Sequence, residues 1–245
     1  MRVLVSVKAV SDPAQRLRVR ADGMGVDLDG IRTILNPFDE VALEQALRWR
    51  ESGAVTEVVV AGVGADRAKV ALRMALALGA DRAIHVRAPD TLALLAVAKA
   101  LRDVVRSEGC GMAMLGMQAS EDGEAERGPM LAALLDWPEA TGAIATTLTG
   151  TAVQIDRVAR DGVETMEIDL PCVFTADLPL ATPRFANIAA VLRAKNAPIE
   201  ERSAAFVAPA ATILSMQEVP PRRAGQRVAS VRELLAALRA RGSLV

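Results

Sequence analysis

Strand-like and helix-like segments alternate through the first half of this 245-residue chain, and this alternation limits the possible folds more than any other feature. Buried-strand patterns such as "RVLVSVKAV" and "TEVVVAGVG" are separated by helix patterns such as "NPFDEVALEQALRWRESG". This order predicts a parallel sheet with helices on both faces. Ligands of such folds bind beyond the carboxyl ends of the strands. The loops of interest therefore follow Val10, Val63 and Gly116.

The second half of the chain has a different pattern. The stretch from Gly142 to Asp177 contains several short strands joined by turns at "TGT" and "RDG", with no helix between them. This pattern predicts an antiparallel meander that extends the sheet. Ser230 and Glu233 form a capping box that predicts a C-terminal helix. We expect an α/β domain over residues 1–200, with an arm at 176–198, and a C-terminal extension with a helix at 201–245.

Composition excludes several classes of function. The formal net charge is −1 and aromatic residues make up 2% of the chain, which argues against a basic or stacking nucleic-acid surface. Cys110, Cys172 and His85 have no metal-site spacing, so no metal is expected and both thiols are expected to be buried. No segment has the pattern of a membrane span or leader peptide, and this predicts a cytoplasmic protein without stable membrane insertion.

The loop "GMQASEDGEAERGP", which runs from Gly116 to Pro129, connects a strand to a helix at the sheet's carboxyl edge. Free N–H groups at a helix start can bind a phosphate. An ordinary β-α connection is an equally good interpretation of the loop alone. Its four carboxylates disfavour phosphate, and Arg127 compensates in part; the four are Glu121, Asp122, Glu124 and Glu126.

Two further stretches are ambiguous. "NPFDE" can simply begin a helix, with Asn36 as N-cap and Pro37 at the first position. Gly62 and Gly64 permit close approach of a ligand to the backbone, although a lone GxG is weak evidence. No P-loop, GxSxG or HExxH motif is present. The residues thus indicate a nucleotide-binding fold without catalytic groups of its own, and the alternatives are an adenine-nucleotide-binding enzyme or a sensing module.

The segment "TADLPLATPRFANIAAVLRAKNAPIE" follows the meander. Pro179 and Pro183 interrupt its first part, and apolar residues then recur at helical spacing with basic residues at both ends. This pattern favours a segment that protrudes from the domain to meet something else. Its candidate contact residues are Arg184, Phe185, Ile188, Arg193 and Lys195.

Several stretches together resemble the beta subunit of electron transfer flavoprotein. They include "VLVSVK", "NPFDEVALEQALR", "VGADRAKVALRMALALGADRAIHV", "GMQASEDGEAERGPMLAALLDWP", "DGVETMEIDLPCVFTADLPLATPRFANIAAVLRAK" and "VPPRRAG". They cover nearly the whole chain in the family's order. The resemblance implies a Rossmann-like fold of the adenine nucleotide alpha-hydrolase-like type.

The resemblance also implies cofactors and partners. Such a subunit pairs with an alpha subunit that holds most of the FAD, and many beta subunits bind AMP. Electrons arrive from acyl-CoA or related flavin dehydrogenases, which dock on the recognition arm through an apolar residue matched here by Ile188, and they leave to a quinone oxidoreductase. The loop near Asp12 and Pro13 would approach the flavin.

The resemblance further implies a nucleotide site in which backbone amides around Ala125, Glu126 and Arg127 bind the phosphate. The full set of implied positions is Ser6, Asn36, Pro37, Phe38, Asp39, Val63, Gly116, Met117, Gln118, Ala119, Ser120, Glu121, Asp122, Gly123, Glu124, Ala125, Glu126 and Arg127.

The chain departs from the family pattern at two places. Glu126 stands where the family usually has Gln, which disfavours the subgroup that holds a second FAD. The arm ends in Arg193-Ala194-Lys195-Asn196 rather than in a lysine-rich run. The second departure implies an unusual partner dehydrogenase.

Overall fold

The computed structural model describes residues 1–89, 92–203, 213–220 and 225–243. Contacts divide the chain into two compact units, one formed by Met1–Leu17 and Leu28–Thr212 and the other by Arg18–Asp27 and Ile213–Val245. The expected domain boundary at residue 200 stays a prediction. Residues 204–212, and 221–224 within "VPPRRAG", lie outside the described part.

The strands are β1 (Arg2–Ser6), β2 (Ala9–Ser11), β3 (Arg18–Val19), β4 (Val26–Asp27), β5 (Thr33–Leu35), β6 (Glu57–Gly64), β7 (Arg82–Arg87), β8 (Met112–Gly116), β9 (Glu139–Thr149), β10 (Ala152–Ala159), β11 (Gly162–Asp169), β12 (Cys172–Ala176) and β13 (Glu200–Ser203). The helices are α1 (Pro37–Glu51), α2 (Ala68–Leu78), α3 (Leu94–Glu108), α4 (Arg127–Leu135), α5 (Ile188–Asn196) and α6 (Val231–Ala240), with a 3₁₀ turn at Leu178–Leu180.

The main sheet has the strand order β11-β10-β9-β12-β8-β1-β6-β7-β13. The strands from β9 to β13 in this order are parallel, whereas β9, β10 and β11 are joined antiparallel. The α/β fold class, with a parallel sheet flanked by helices and extended by antiparallel strands, is confirmed.

Helices cover both faces of the sheet because the strand side chains alternate between two cores. Val3 and Val5 of β1 pack with Leu47 of α1 in one core, whereas Leu4 packs with Leu101 of α3 in the other. This alternation is the period-two pattern of a strand that is buried on both faces.

The structure differs from the sequence expectation at two strands. β12 does not continue the meander, because it inserts between β8 and β9 and runs parallel to both. All five of its residues are buried, as expected for a central strand. The first predicted strand is also split: β1 ends at Ser6, and β2 pairs antiparallel with β5 in a small separate sheet.

The second unit contains the β3–β4 hairpin and the predicted C-terminal helix. The Ser230 hydroxyl accepts a hydrogen bond from the Glu233 N–H at 3.2 Å. The Glu233 carboxylate accepts one from the N–H of Ala229 at 2.8 Å, one residue before the N-cap. The sequence-predicted capping of α6 is therefore confirmed, with this one-residue shift in the reciprocal bond.

Candidate functional site

Three loops meet at the carboxyl edge of the parallel sheet, as the alternating pattern predicts. β8, β1 and β6 are neighbours, so the chain leaves the sheet at Gly116, Ser6 and Gly64 side by side. Ser6 is buried at the end of its strand, and Val63 is half-buried at the penultimate position of β6. This edge brings together the predicted nucleotide-binding residues.

The side chain of Asn36 bonds to the loop that follows β8. It occupies the N-cap position of α1, but its side chain makes no cap hydrogen bond, so the predicted capping role of the side chain is wrong. Instead its amide donates to the carbonyl of Gln118 at 2.9 Å, and its carbonyl oxygen accepts from the N–H of Ser120 at 3.3 Å. Asn36 is fully buried. These bonds therefore satisfy polar groups that would destabilise the fold if they were buried without partners.

Asp39 joins two strand ends. Its buried carboxylate accepts hydrogen bonds from the backbone N–H groups of Lys8 at 2.7 Å and Gly116 at 3.0 Å. Burial raises the pKa of Asp39, and the charge of Arg127 and the backbone hydrogen bonds oppose that rise. A Cβ at Gly116 would lie 2.4 Å from the Asp39 carboxylate oxygen and 2.6 Å from Cβ of Phe38, so only glycine fits there.

Two of the four loop carboxylates are already paired with cations. Glu121 accepts from the Ser11 N–H and from Arg67, both at 2.6 Å, and Asp122 contacts the Lys8 ammonium at 2.6 Å. Burial favours a higher pKa for both carboxyls, but these hydrogen bonds and charges lower each pKa below its usual range. These contacts hold the loop against neighbouring segments. They also neutralise two of the charges that would repel a phosphate.

Lys8, Ser11 and Arg67 were absent from the sequence-predicted set. A usable signal did exist for the two cations, because Lys8 follows β1 and Arg67 follows β6, and these strands end at the same edge of the sheet. An acidic loop at that edge requires cations from its neighbours. Glu124 and Glu126 are exposed at the other end of the loop.

The N-terminus of α4 presents free donors. Glu126 is the N-cap and Arg127 the first helical residue, so the N–H groups of residues 126, 127 and 128 have no partner within the helix. Pro129 has no N–H, and the N–H of Met130 bonds to the Glu126 carbonyl at 3.0 Å. The donors are followed directly by normal helical bonding.

Arg127 adds a buried cation with one unpaired N–H group beside these donors. Its side chain is 7% exposed, and its Nη2 atom has no hydrogen-bond partner within the described residues. A buried N–H group without an acceptor is costly, and an anion at the helix start could accept from Nη2 of Arg127 and remove that cost.

Glycines fix how closely helices approach this edge. A Cβ at Gly128 would lie 2.3 Å from Cγ2 of Thr175 on β12, so glycine lets α4 pack directly on the sheet. A Cβ at Gly62 would lie 3.3 Å from both Leu72 of α2 and the carbonyl oxygen of Val7. Gly62 thus serves packing between α2 and the sheet, which differs from the ligand contact expected from the GxG pattern.

The remaining predicted positions shape the loop. Pro37 is the first residue of α1, as expected. The N–H of Met117 bonds to the Ala176 carbonyl at 2.8 Å, and that of Gly123 bonds to the Ala119 carbonyl at 2.9 Å. Gly123 has φ +66°, a left-handed turn conformation that favours glycine. Ala125 is exposed beside the start of α4.

The predicted arm presents apolar side chains to solvent. Phe185 is 100% exposed and Ile188 79% exposed, and Val191 and Leu192 are exposed as well. Asn187 caps α5 by accepting a hydrogen bond from the Ala190 N–H at 2.8 Å. Arg193 and Lys195 are exposed in the last turn of α5, whereas Arg184 is paired with Glu44 at 2.7 Å and Glu51 at 2.5 Å on α1.

Three general features of the described residues bear on function. No group of three or more His, Cys, Asp or Glu residues among them could hold a metal ion. None of their helices is long and apolar enough to cross a membrane. Cys110 and Cys172 are both free and buried, and burial raises the pKa of each thiol to about 12.

Comparison with known proteins agrees with this arrangement. A family model described as "Electron transfer flavoprotein domain" matches residues 24–207. The chain is 41% identical to the electron transfer flavoprotein subunit beta of Bradyrhizobium diazoefficiens, over 98% of each chain. It is 42% identical to the electron transfer flavoprotein subunit beta, mitochondrial, of Oryza sativa subsp. japonica, over 96% of each chain. It is 38% identical to the electron transfer flavoprotein subunit beta of Mus musculus, over 100% of this chain and 99% of the relative.

Proposed function

The chain belongs to the electron transfer flavoprotein family as a beta subunit, and on that premise we propose that it pairs with an alpha subunit, binds AMP and docks on flavin dehydrogenases. In this proposal most of the FAD is held by the alpha subunit. The observation that carries the proposal is the exposed apolar face of the arm, which contains Phe185 and Ile188.

The residues at the carboxyl edge suit an adenylate. The phosphate would accept hydrogen bonds from the backbone N–H groups at the start of α4, and the Arg127 guanidinium would supply a compensating charge. Glu121 and Asp122 are neutralised by Lys8 and Arg67, so the site is less negative than its sequence suggests. The remaining residues of the proposed site are those of the Asn36–Asp39 turn, Ser6 and Val63, which surround the same edge.

The arm suits a transient contact with another protein. Its apolar face is small, and basic residues border it at Arg193 and Lys195. A small apolar contact with a charged rim is typical of weak electron-transfer complexes. In this proposal Ile188 enters an apolar pocket of the dehydrogenase, and Phe185 packs beside it.

Within the complex, bound FAD supplies the centre that accepts electrons from the dehydrogenase and releases them to a quinone oxidoreductase. This chain acts by binding the alpha subunit, holding AMP and orienting the donor, and it carries out no substrate chemistry of its own. We propose a cytoplasmic location; the relative from rice is named mitochondrial, and cell fractionation would distinguish the two compartments.

Co-production with its alpha subunit tests the proposed function. We expect a yellow 1:1 heterodimer whose flavin absorbance is bleached by an acyl-CoA dehydrogenase and its acyl-CoA substrate, but not by the acyl-CoA alone. A matched sample without the dehydrogenase is the control. A colourless heterodimer, or bleaching by the acyl-CoA alone, would contradict the proposal.

A further inference from the structure

The arm is held at both ends, whereas its apolar face is free. It leaves the sheet after β12 in the centre and returns to it as β13 at the edge. Between these strands, Ala186 and Ile199 are partly buried against the core, while Phe185 and Ile188 extend into solvent. Such an excursion requires specific contacts to keep one conformation.

The first end is fixed by Arg184. Its Nε and Nη2 atoms donate to the two carboxylate oxygens of Glu44 at 2.7 and 3.2 Å, and its backbone N–H donates to the same group at 3.2 Å. Its Nη1 and Nη2 atoms donate to Glu51 at 2.5 and 3.2 Å. Arg48 adds a hydrogen bond to the Thr182 carbonyl at 3.0 Å. Forked pairs of this kind restrict geometry more than a single contact.

Glu44 of α1 is well placed for this role because it is almost fully buried. Burial by itself would raise the pKa of Glu44, but the hydrogen bonds from Arg184 and Arg48 lower it below its usual range. The carboxylate therefore stays ionised at neutral pH and keeps both arginines in place.

The second end is fixed by α2 and by β13. Arg73 of α2 donates to the carbonyl of Ala194 at 2.7 Å and also to that of Ala197, which are at the C-terminal end of α5. Beyond α5, Arg202 of β13 pairs with Glu108 of α3. The carbonyl groups that end α5 are thereby satisfied by a cation, as helix C-termini favour.

We propose that Arg184, Glu44 and Arg73 are positioning residues that hold the arm in its docking conformation before the dehydrogenase arrives. This inference rests on the proposed docking function. It changes the role expected for Arg184, which anchors the base of the arm instead of touching the partner.

Rigid positioning matters because the docking surface is small. A loose arm would lose conformational freedom on binding, and that loss opposes docking. A weak complex has little interaction energy to offset that loss. A preformed arm therefore lowers the concentration at which the complex docks, without altering the electron-transfer step itself.

Limited trypsin digestion of the heterodimer tests the anchoring directly. Arg184→Met is expected to speed cleavage after Arg193 and Lys195 by about tenfold, because local opening exposes those bonds. Arg102→Met on α3 makes the same chemical change away from the arm and is expected to leave these cleavages unchanged. Arg184→Lys keeps the charge but loses the fork, so we expect an intermediate rate. Unchanged cleavage in Arg184→Met would overturn the inference.

Steady-state reduction by an acyl-CoA dehydrogenase then tests the purpose of the anchoring. For Arg184→Met we expect KM for the heterodimer to rise about fivefold with kcat within about twofold of wild type. A loosened arm with unchanged KM would overturn the positioning role if Ile188→Ala still raises KM. If Ile188→Ala also leaves KM unchanged, the docking function itself is wrong.

Discussion

Replacing Ile188 by alanine is expected to reduce kcat/KM for electron delivery from the dehydrogenase about 30-fold, while the FAD content of the heterodimer stays unchanged. Ile188 is 79% exposed at the first position of α5, so truncation removes little packing within the chain. If it fills a pocket of the partner, its loss costs about 2 kcal/mol of docking free energy, the usual size for a central apolar contact. Stopped-flow reduction of the flavin at several heterodimer concentrations measures the change.

The matched control is Leu95→Ala, which also truncates an exposed aliphatic side chain on a helix, α3. We expect wild-type kinetics from it. An unchanged rate in Ile188→Ala would show that the arm does not dock the dehydrogenase through this residue. Equal losses in both variants would point to a general effect on folding instead.

Gly128→Ala is expected to lower both the stability of the chain and its retention of AMP. The added Cβ would lie 2.3 Å from Cγ2 of Thr175, so the start of α4 must move away from β12. Overpacking of this kind costs about 2 kcal/mol. The same displacement moves the donors at residues 126–128, and the loss of one good hydrogen bond to phosphate weakens AMP retention about tenfold. Urea unfolding and the nucleotide content after dialysis measure the two effects.

Thr175→Ser is the matched second-site change. It deletes the clashing methyl group but keeps the hydroxyl that accepts the Gly142 N–H at 2.9 Å. We expect the double variant to recover most of the stability and the bound AMP, with a coupling energy of about 1–2 kcal/mol in the double-mutant cycle. Additive losses would mean that contact with β12 does not set the position of the helix start.

The sequence alone could predict the parallel sheet, because alternating strand and helix patterns have few other solutions. It could not place β12, because a buried five-residue strand has the same sequence pattern whether it ends a meander or inserts beside β8. Pairing partners are set by long-range packing, which a local pattern does not contain.

The sequence indicated the loops of the candidate site but not the side chains that pair with them. The 116–127 loop and the Asn36–Asp39 turn were both identified, but Asn36 was interpreted as a helix cap. The structure shows that its side chain bonds to Gln118 and Ser120, some 80 positions later. Lys8, Arg67 and Glu44 were missed because ion pairs across the chain depend on which strand ends become neighbours. Resemblance supplied the cofactors and the arm's role, which pattern analysis alone could not reach.

Nucleotide analysis of the heat-denatured heterodimer, formed with the alpha subunit, tests the central claim most directly. The account predicts one FAD and one AMP per heterodimer in the supernatant, measured by chromatography against standards. Two FAD molecules, or FAD without AMP, would contradict a site in which main-chain amides at the start of α4 and Arg127 bind a single AMP phosphate.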